Sequence, residues 1–156
     1  MKQNLALGQK IICLNRKASF NYFFEDLIEA GIVLTGSEVK SLRLNTGSIR
    51  GSFIMEQKGE LWISNSFIKK YQNSNETYYD PTRKRKLLVT RREFDKISGP
   101  IKQGGFTIIP LSLYFSDKGF AKLSCGIAKG KKKIDKRESI KQRDWNIKKQ
   151  RLLKNN

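Results

Sequence analysis

The sequence contains no histidine, two cysteines, three prolines, and only fourteen acidic residues against thirty-two basic ones. Without histidine the commonest general base and the commonest metal ligand are both missing, which weighs against an enzyme or a metal site. Cys13 and Cys125 stand far apart in segments that read as strands, and are expected to be small buried hydrophobes rather than a disulfide or a metal pair. No apolar run is long enough to span a bilayer, and Met1 to Lys10 has no sustained apolar stretch of the signal-peptide kind. The chain therefore reads as cytoplasmic, with no membrane partner. The G-x-x-x-x-G-K-[ST], G-x-G-x-x-G and C-x-x-C patterns are absent. Gly130-Lys131 comes near the first of these, but Lys132 stands where Ser or Thr is needed and Cys125 where the upstream glycine belongs. Asp80, Asp95 and Asp117 share no metal-ligand spacing. No catalytic residue, metal or cofactor is expected.

What is present is positive charge. A net +18 over 156 residues implies a polyanionic partner, and nucleic acid fits best. The charge is uneven. Residues 129–156 hold twelve Lys or Arg against three Asp or Glu, a net +9, half the total in under a fifth of the length. The composition thus divides the chain into a folded domain over 1–128 and a basic C-terminal tail over 129–156.

Lys10 to Leu14 reads as a strand. Phe20, Phe23, Phe24, Leu27 and Ile28 fall at i, i+3, i+4, i+7 and i+8, the spacing of an amphipathic helix from Ser19 to Gly31. Ser37 to Leu44 and Arg91 to Ser98 read as short helices, the second ended by Gly99-Pro100. Period-two patterns mark strands at Ser52–Glu56, Leu61–Lys69, Arg85–Thr90, Phe106–Ser116 and Phe120–Ala128. Gln57–Glu60 and Ser116–Gly119 supply hairpin turns, and Pro110 predicts a bulge or an edge. The pattern is mostly β. It fits an oligonucleotide-binding-type antiparallel barrel with about three short helices, and a two-layer α+β sandwich nearly as well.

Three basic segments are candidate RNA contacts: Asn15-Arg16-Lys17 after the first strand, Arg83-Lys84-Arg85-Lys86 entering a later one, and the tail from Gly130. The tail has no continuous apolar stripe, so docking it on a core would bury unpaired charge. It keeps Trp145 and Leu152 and has good helix propensity from Lys136 onward. Two readings remain level: a solvated run, and a segment disordered when free that folds on an anionic surface, where an indole can stack on a base.

Asn15 to Arg43, Pro81 to Ile97 and Gly126 to Leu153, with EAGIVLTGSEVKSLR and a terminal G-K-K-x-x-D-K-R, resemble the SmpB family of SsrA-binding proteins of bacterial trans-translation. The resemblance implies an oligonucleotide-binding-type barrel and a role as RNA-binding adaptor in ribosome rescue. Such an adaptor binds the tRNA-like domain of transfer-messenger RNA (SsrA RNA) and delivers it to stalled ribosomes. The tail then lies in the decoding centre against rRNA and in the empty mRNA channel, where it is helical. The implied partners include elongation factor Tu, through the aminoacylated RNA, and the protein is a monomer. By resemblance the RNA-binding face includes Asn15, Glu29 and Leu88, with Thr90 where the family commonly has Asn. In the tail, Gly130, Lys131, Lys132, Lys133, Asp135, Lys136, Arg137 and Trp145 fall on the ribosome-binding motif, with Ile134 where the family often has His. The alternative is a general single-stranded RNA chaperone on the same barrel.

Overall fold

The computed structural model describes residues 10–154; the reading of residues 1–9 and the side chain of Lys133 lie outside what it describes. Among the described residues nine strands form, β1 (Lys10–Leu14), β2 (Tyr22–Ile32), β3 (Gly47–Ser48), β4 (Phe53–Gln57), β5 (Glu60–Ser64), β6 (Phe67–Ile68), β7 (Arg85–Leu88), β8 (Thr107–Phe115) and β9 (Ala121–Gly130). The helices are α1 (Ala18–Asn21), α2 (Gly36–Arg43), α3 (Arg91–Gln103) and α4 (Lys133–Lys154). Hydrogen-bonded neighbours run β8–β4–β5–β7–β2–β9 and back to β8, with β1 added beside β8. Two seams of this ring are narrow: β4 meets β8 only at Ile54–Ile108, and β7 meets β2 at Gly31–Leu88 and Ile32–Leu87. The result is an antiparallel, oligonucleotide-binding-like barrel rather than a fully laddered one. β3 and β6 make a separate ribbon.

The largest departure from the sequence pattern is β2. Helical spacing over Ser19–Gly31 predicts a helix, but only Ala18–Asn21 is helical and Tyr22–Ile32 is a strand. Tyr22, Phe24, Asp26, Ile28 and Ala30 are shielded, while Phe23, Glu25, Leu27 and Glu29 are exposed. A bulge between Phe24 and Asp26 shifts the phase. Phe24 therefore packs outside the barrel with Ala18, Ile109, Leu111 and Ala128, whereas Ile28 and Ala30 enter the main core. An aromatic-rich segment satisfies both periods, and pairing with β9 from Tyr22 to Gly31 decides between them.

Three smaller differences follow local chemistry. The strand expected over Leu61–Lys69 breaks at Asn65, whose φ is 58°. The α3 helix continues through Gly99-Pro100 to Gln103 because Ile101 extends the Phe94–Ile97 stripe onto the core; Gly104, at φ 85°, ends it. The expected tail is a fourth helix of 22 residues, and the sheet runs two residues past the composition boundary, to Gly130. The expected turn between β4 and β5 forms at Lys58 (φ 53°) and Gly59 (φ 76°), and the bulge predicted by Pro110 lies between Pro110 and Ser112. Leu42, Ile63 and Leu123 are fully buried at the centre of the core.

Candidate nucleic-acid interface

Asn15 follows β1 and uses its side chain internally, its Nδ2 donating to the Pro110 carbonyl at 3.0 Å beside the β8 bulge. With the Asn15 N–H donating to the Leu111 carbonyl at 2.8 Å, that bond ties the end of β1 to the β8 bulge. Arg16 and Lys17 are exposed, and Lys17 shares a cleft with Arg50, Asn21, Tyr22 and Phe53.

Glu29 and Leu88 come together on the outer face of the barrel. Leu88 pairs with Gly31, two residues beyond Glu29 along β2, and a Cβ added to Gly31 would sit 3.4 Å from Leu88 Cβ. Leu88 is 54% exposed. Glu29 accepts hydrogen bonds from the Lys122 ammonium and the Tyr114 hydroxyl. These bonds hold its carboxyl below the ordinary carboxylate range against a smaller opposing effect of burial. Burial, followed by the hydrogen bond to Glu29 and then the Glu29 charge, raises the Tyr114 hydroxyl far above its ordinary value. Glu29 is thus an ionised acceptor on an open face.

Tyr114 and Lys122 are absent from the sequence candidates. The signal was present: the Ser116–Gly119 turn sets Tyr114 opposite Lys122 across the β8–β9 hairpin. Reading β2 as a helix hid the pairing of Gly31 with Lys122 that brings Glu29 beside them.

The run at 83–86 divides. Arg85 is a correction to the candidate list: its guanidinium is fully buried and bonded to Glu38, to the carbonyls of Ser66, Pro81 and Arg83, and to Ser66 Oγ. No donor face is left for phosphate. Arg83 grips Glu38 through Nε and Nη2 at 2.8 and 2.5 Å, and Lys86 pairs with Glu60 at 2.5 Å. Lys84 alone of the four is exposed and without an ion-pair partner among the described residues. Thr90 is the N-cap of α3, in a capping box with Glu93.

Gly130 closes β9 opposite Tyr22, and the Lys131 N–H donates to the Asn21 carbonyl at 2.9 Å. The Lys131 ammonium also donates to the Ser19 carbonyl at 2.9 Å and lies 4.6 Å from the Phe23 ring centroid. Asp135 accepts from the Lys132 N–H at 3.0 Å and so caps the first turn of α4. Beyond this root the helix is open. Lys132 and Arg137 are exposed and Lys136 is half-buried; Ile134 and Trp145 are 67% and 68% exposed, and Arg143 approaches the Phe20 ring at 6.0 Å.

Both cysteines are free, and burial raises the Cys125 thiol to about 12. Among the described residues no His, Cys, Asp or Glu group of three or more could hold a metal. No helix there is long and apolar enough to cross a membrane.

The family model described as SmpB protein matches residues 12–155. An SsrA-binding protein of Wolbachia pipientis is 48% identical over 147 residues, covering 94% of this chain and 99% of the relative. One of Brucella canis is 49% identical, covering 94% and 93%. A solved chain described by the words "tmRNA-SmpB: a journey to the center of the bacterial ribosome" is 39% identical, with a TM-score of 0.64, over 82% of this chain and 93% of its own.

Proposed function

This chain belongs to the SmpB family, and from that premise we propose that it is an RNA-binding adaptor of ribosome rescue. The barrel binds the tRNA-like domain of transfer-messenger RNA, and the complex enters stalled ribosomes for trans-translation. The observation that carries the reading is the placement of Glu29 and Leu88 on one open face, with Glu29 held ionised. A carboxylate repels phosphate but accepts from base amino and imino groups, so it selects an RNA rather than adding bulk affinity. Bulk affinity comes from exposed cations such as Arg16, Lys17 and Lys84.

The tail supports a division of labour. It leaves the barrel at Gly130 and exposes Arg137 and Trp145, a disposition suited to the rRNA of the decoding centre and the empty mRNA channel. The protein acts as a monomer without catalysis, and meets elongation factor Tu through the aminoacylated RNA.

A binding competition between the tRNA-like RNA and an ordinary tRNA tests the barrel's role. The tRNA-like RNA is expected to win. Comparable affinity for unrelated single strands indicates a general RNA chaperone instead. Deleting residues 131–156 is expected to preserve RNA binding and abolish tagging of stalled peptides; equal tagging with and without them sinks the assigned role of the tail.

A further inference from the structure

Beside Glu29, outside the β8–β9 hairpin, lies an open recess lined by Glu29, Ser116, Asp117, Lys118, Phe120 and Lys122. Its volume of about 400 Å³ falls within the range of ligand clefts, roughly 300–1,000 Å³. Phe120 is 66% exposed, and a lone exposed phenylalanine ordinarily needs no explanation. This one is held. Its N–H donates to Ser116 Oγ at 3.2 Å, its carbonyl accepts from the Ser116 N–H at 2.9 Å, and Gly119 closes the turn onto the Ser116 carbonyl at 2.8 Å. The hairpin thus presents a bare aromatic ring on a fixed backbone, next to an ionised carboxylate.

We propose that this recess takes one unpaired guanine of the bound RNA, stacked on Phe120 with its Watson–Crick edge on Glu29. This rests on the RNA-binding reading above and names the base it selects. An ionised carboxylate only accepts hydrogen bonds, and its two oxygens accept about four. Tyr114 fills one site on Oε2 and Lys122 one on Oε1, which leaves about one on each oxygen. Two adjacent acceptors match two adjacent donors, and guanine alone among the four bases carries them, at N1–H and the 2-amino group. Adenine and cytosine each set an acceptor beside their donor, and uracil flanks one N–H with two carbonyls. Each would turn a lone pair toward the carboxylate. Lys122 also offsets the Glu29 charge, and Lys118 stands in the same recess to meet the flanking phosphate.

Equilibrium binding of the full chain to the tRNA-like RNA provides the first test. Phe120→Ala is expected to weaken binding roughly 5- to 150-fold, the effect of losing one stacked base, and Phe120→Trp to retain it. Replacing each unpaired guanine in turn by inosine removes the 2-amino group. One such replacement should weaken binding to the natural protein and have no further effect on Phe120→Ala or Glu29→Gln. Undiminished binding by Phe120→Ala, with the preference over ordinary tRNA intact, overturns this inference alone; loss of that preference in the natural protein overturns the adaptor reading instead. A second measurement needs neither a variant nor the RNA. Guanosine monophosphate titrated into the protein should shift the amide resonances of residues 116–122 at lower concentration than the adenosine, cytidine or uridine monophosphates. Equal responses to all four overturn the proposal.

Discussion

Glu38 and Arg85 form an ion pair whose two side chains are fully shielded from solvent, Arg85 Nη2 lying 2.8 Å from Glu38 Oε1. Glu38 belongs to α2, where it also closes the capping box on Thr35, and Arg85 opens β7. The pair therefore fastens a helix to the barrel wall, and Arg83 adds a second grip on the same carboxylate. Removing one partner leaves a buried charge without its counter-ion. Glu38→Ala is expected to destabilise the fold by about 3–5 kcal/mol, read by urea unfolding. A loss below about 1 kcal/mol would mean that water reaches the site.

The same carboxyl gives the fold an acid limit. Burial opposes its ionisation, but Arg83, the Thr35 N–H and Arg85 together hold it below the ordinary range. A folded-state value below the unfolded one, about 4.3, contributes stability that is complete above that pH and fades as pH falls through the folded value. Unfolding free energy should be level from neutral pH to about 5 and decline below about 4.3. Glu38→Gln should start lower at neutral pH and show a shallower acid decline. Parallel curves for the two proteins would assign the decline to other carboxyls, such as Asp26 with its Lys96 partner or Glu29 with Lys122.

Thr90 has a structural task distinct from any RNA contact. Its hydroxyl accepts the Glu93 N–H at 3.3 Å, and Glu93 Oε2 accepts the Thr90 N–H at 2.8 Å. Thr90→Ala should lower stability by about 1 kcal/mol, while Thr90→Asn, also a good N-cap, should leave it nearly unchanged. Thermal unfolding of the two variants separates capping from base contact: a capping role moves stability and leaves RNA affinity within about twofold.

Much of the barrel was legible because turn chemistry and period-two burial agree. Lys58-Gly59 supports left-handed backbone, Pro110 interrupts a ladder, and Leu61 and Ile63 point inward as alternation requires. β2 was not legible, because Phe20, Phe23, Phe24, Leu27 and Ile28 fit a helix and only a distant partner strand overrules that local fit. For the same reason the candidate site was half visible. Glu29 and Leu88 are named by resemblance alone, whereas their neighbours Tyr114 and Lys122 depend on the register of β2. Arg85 misleads in the opposite direction: charge density does not distinguish a phosphate contact from a guanidinium folded inward onto Glu38.

Gly126 tests the β2 placement directly. A Cβ there would stand 2.4 Å from Phe24 Cδ1 and 3.0 Å from Cε1, so the glycine makes room for an aromatic ring on the neighbouring strand. Gly126→Ala should cost about 1–3 kcal/mol, the usual range for overpacking. Pairing it with Phe24→Leu should recover part of the loss in a double-mutant cycle, since the two changes meet at one contact. Simple additivity would mean that the ring does not lie on Gly126.

The tail makes the most distinctive spectroscopic prediction. Among the described residues neither buried cluster includes one beyond Ala128, so deleting residues 131–156 should leave the urea midpoint of the barrel almost unchanged. Among the described residues α4 is tied to the barrel by Lys131 at its root and by the Arg143–Phe20 approach, and a helix so lightly supported is marginal in water. Trp145 should therefore emit as an exposed indole and be quenched readily by iodide, with a Trp62→Phe background isolating its signal from the chain's other tryptophan. Binding to ribosomes loaded with a message lacking a stop codon should protect it from quenching and raise helical ellipticity at 222 nm as the segment is held. If Trp145 stays equally quenchable on those ribosomes, the indole takes no part in the contact, and tail engagement must rest on its cations alone.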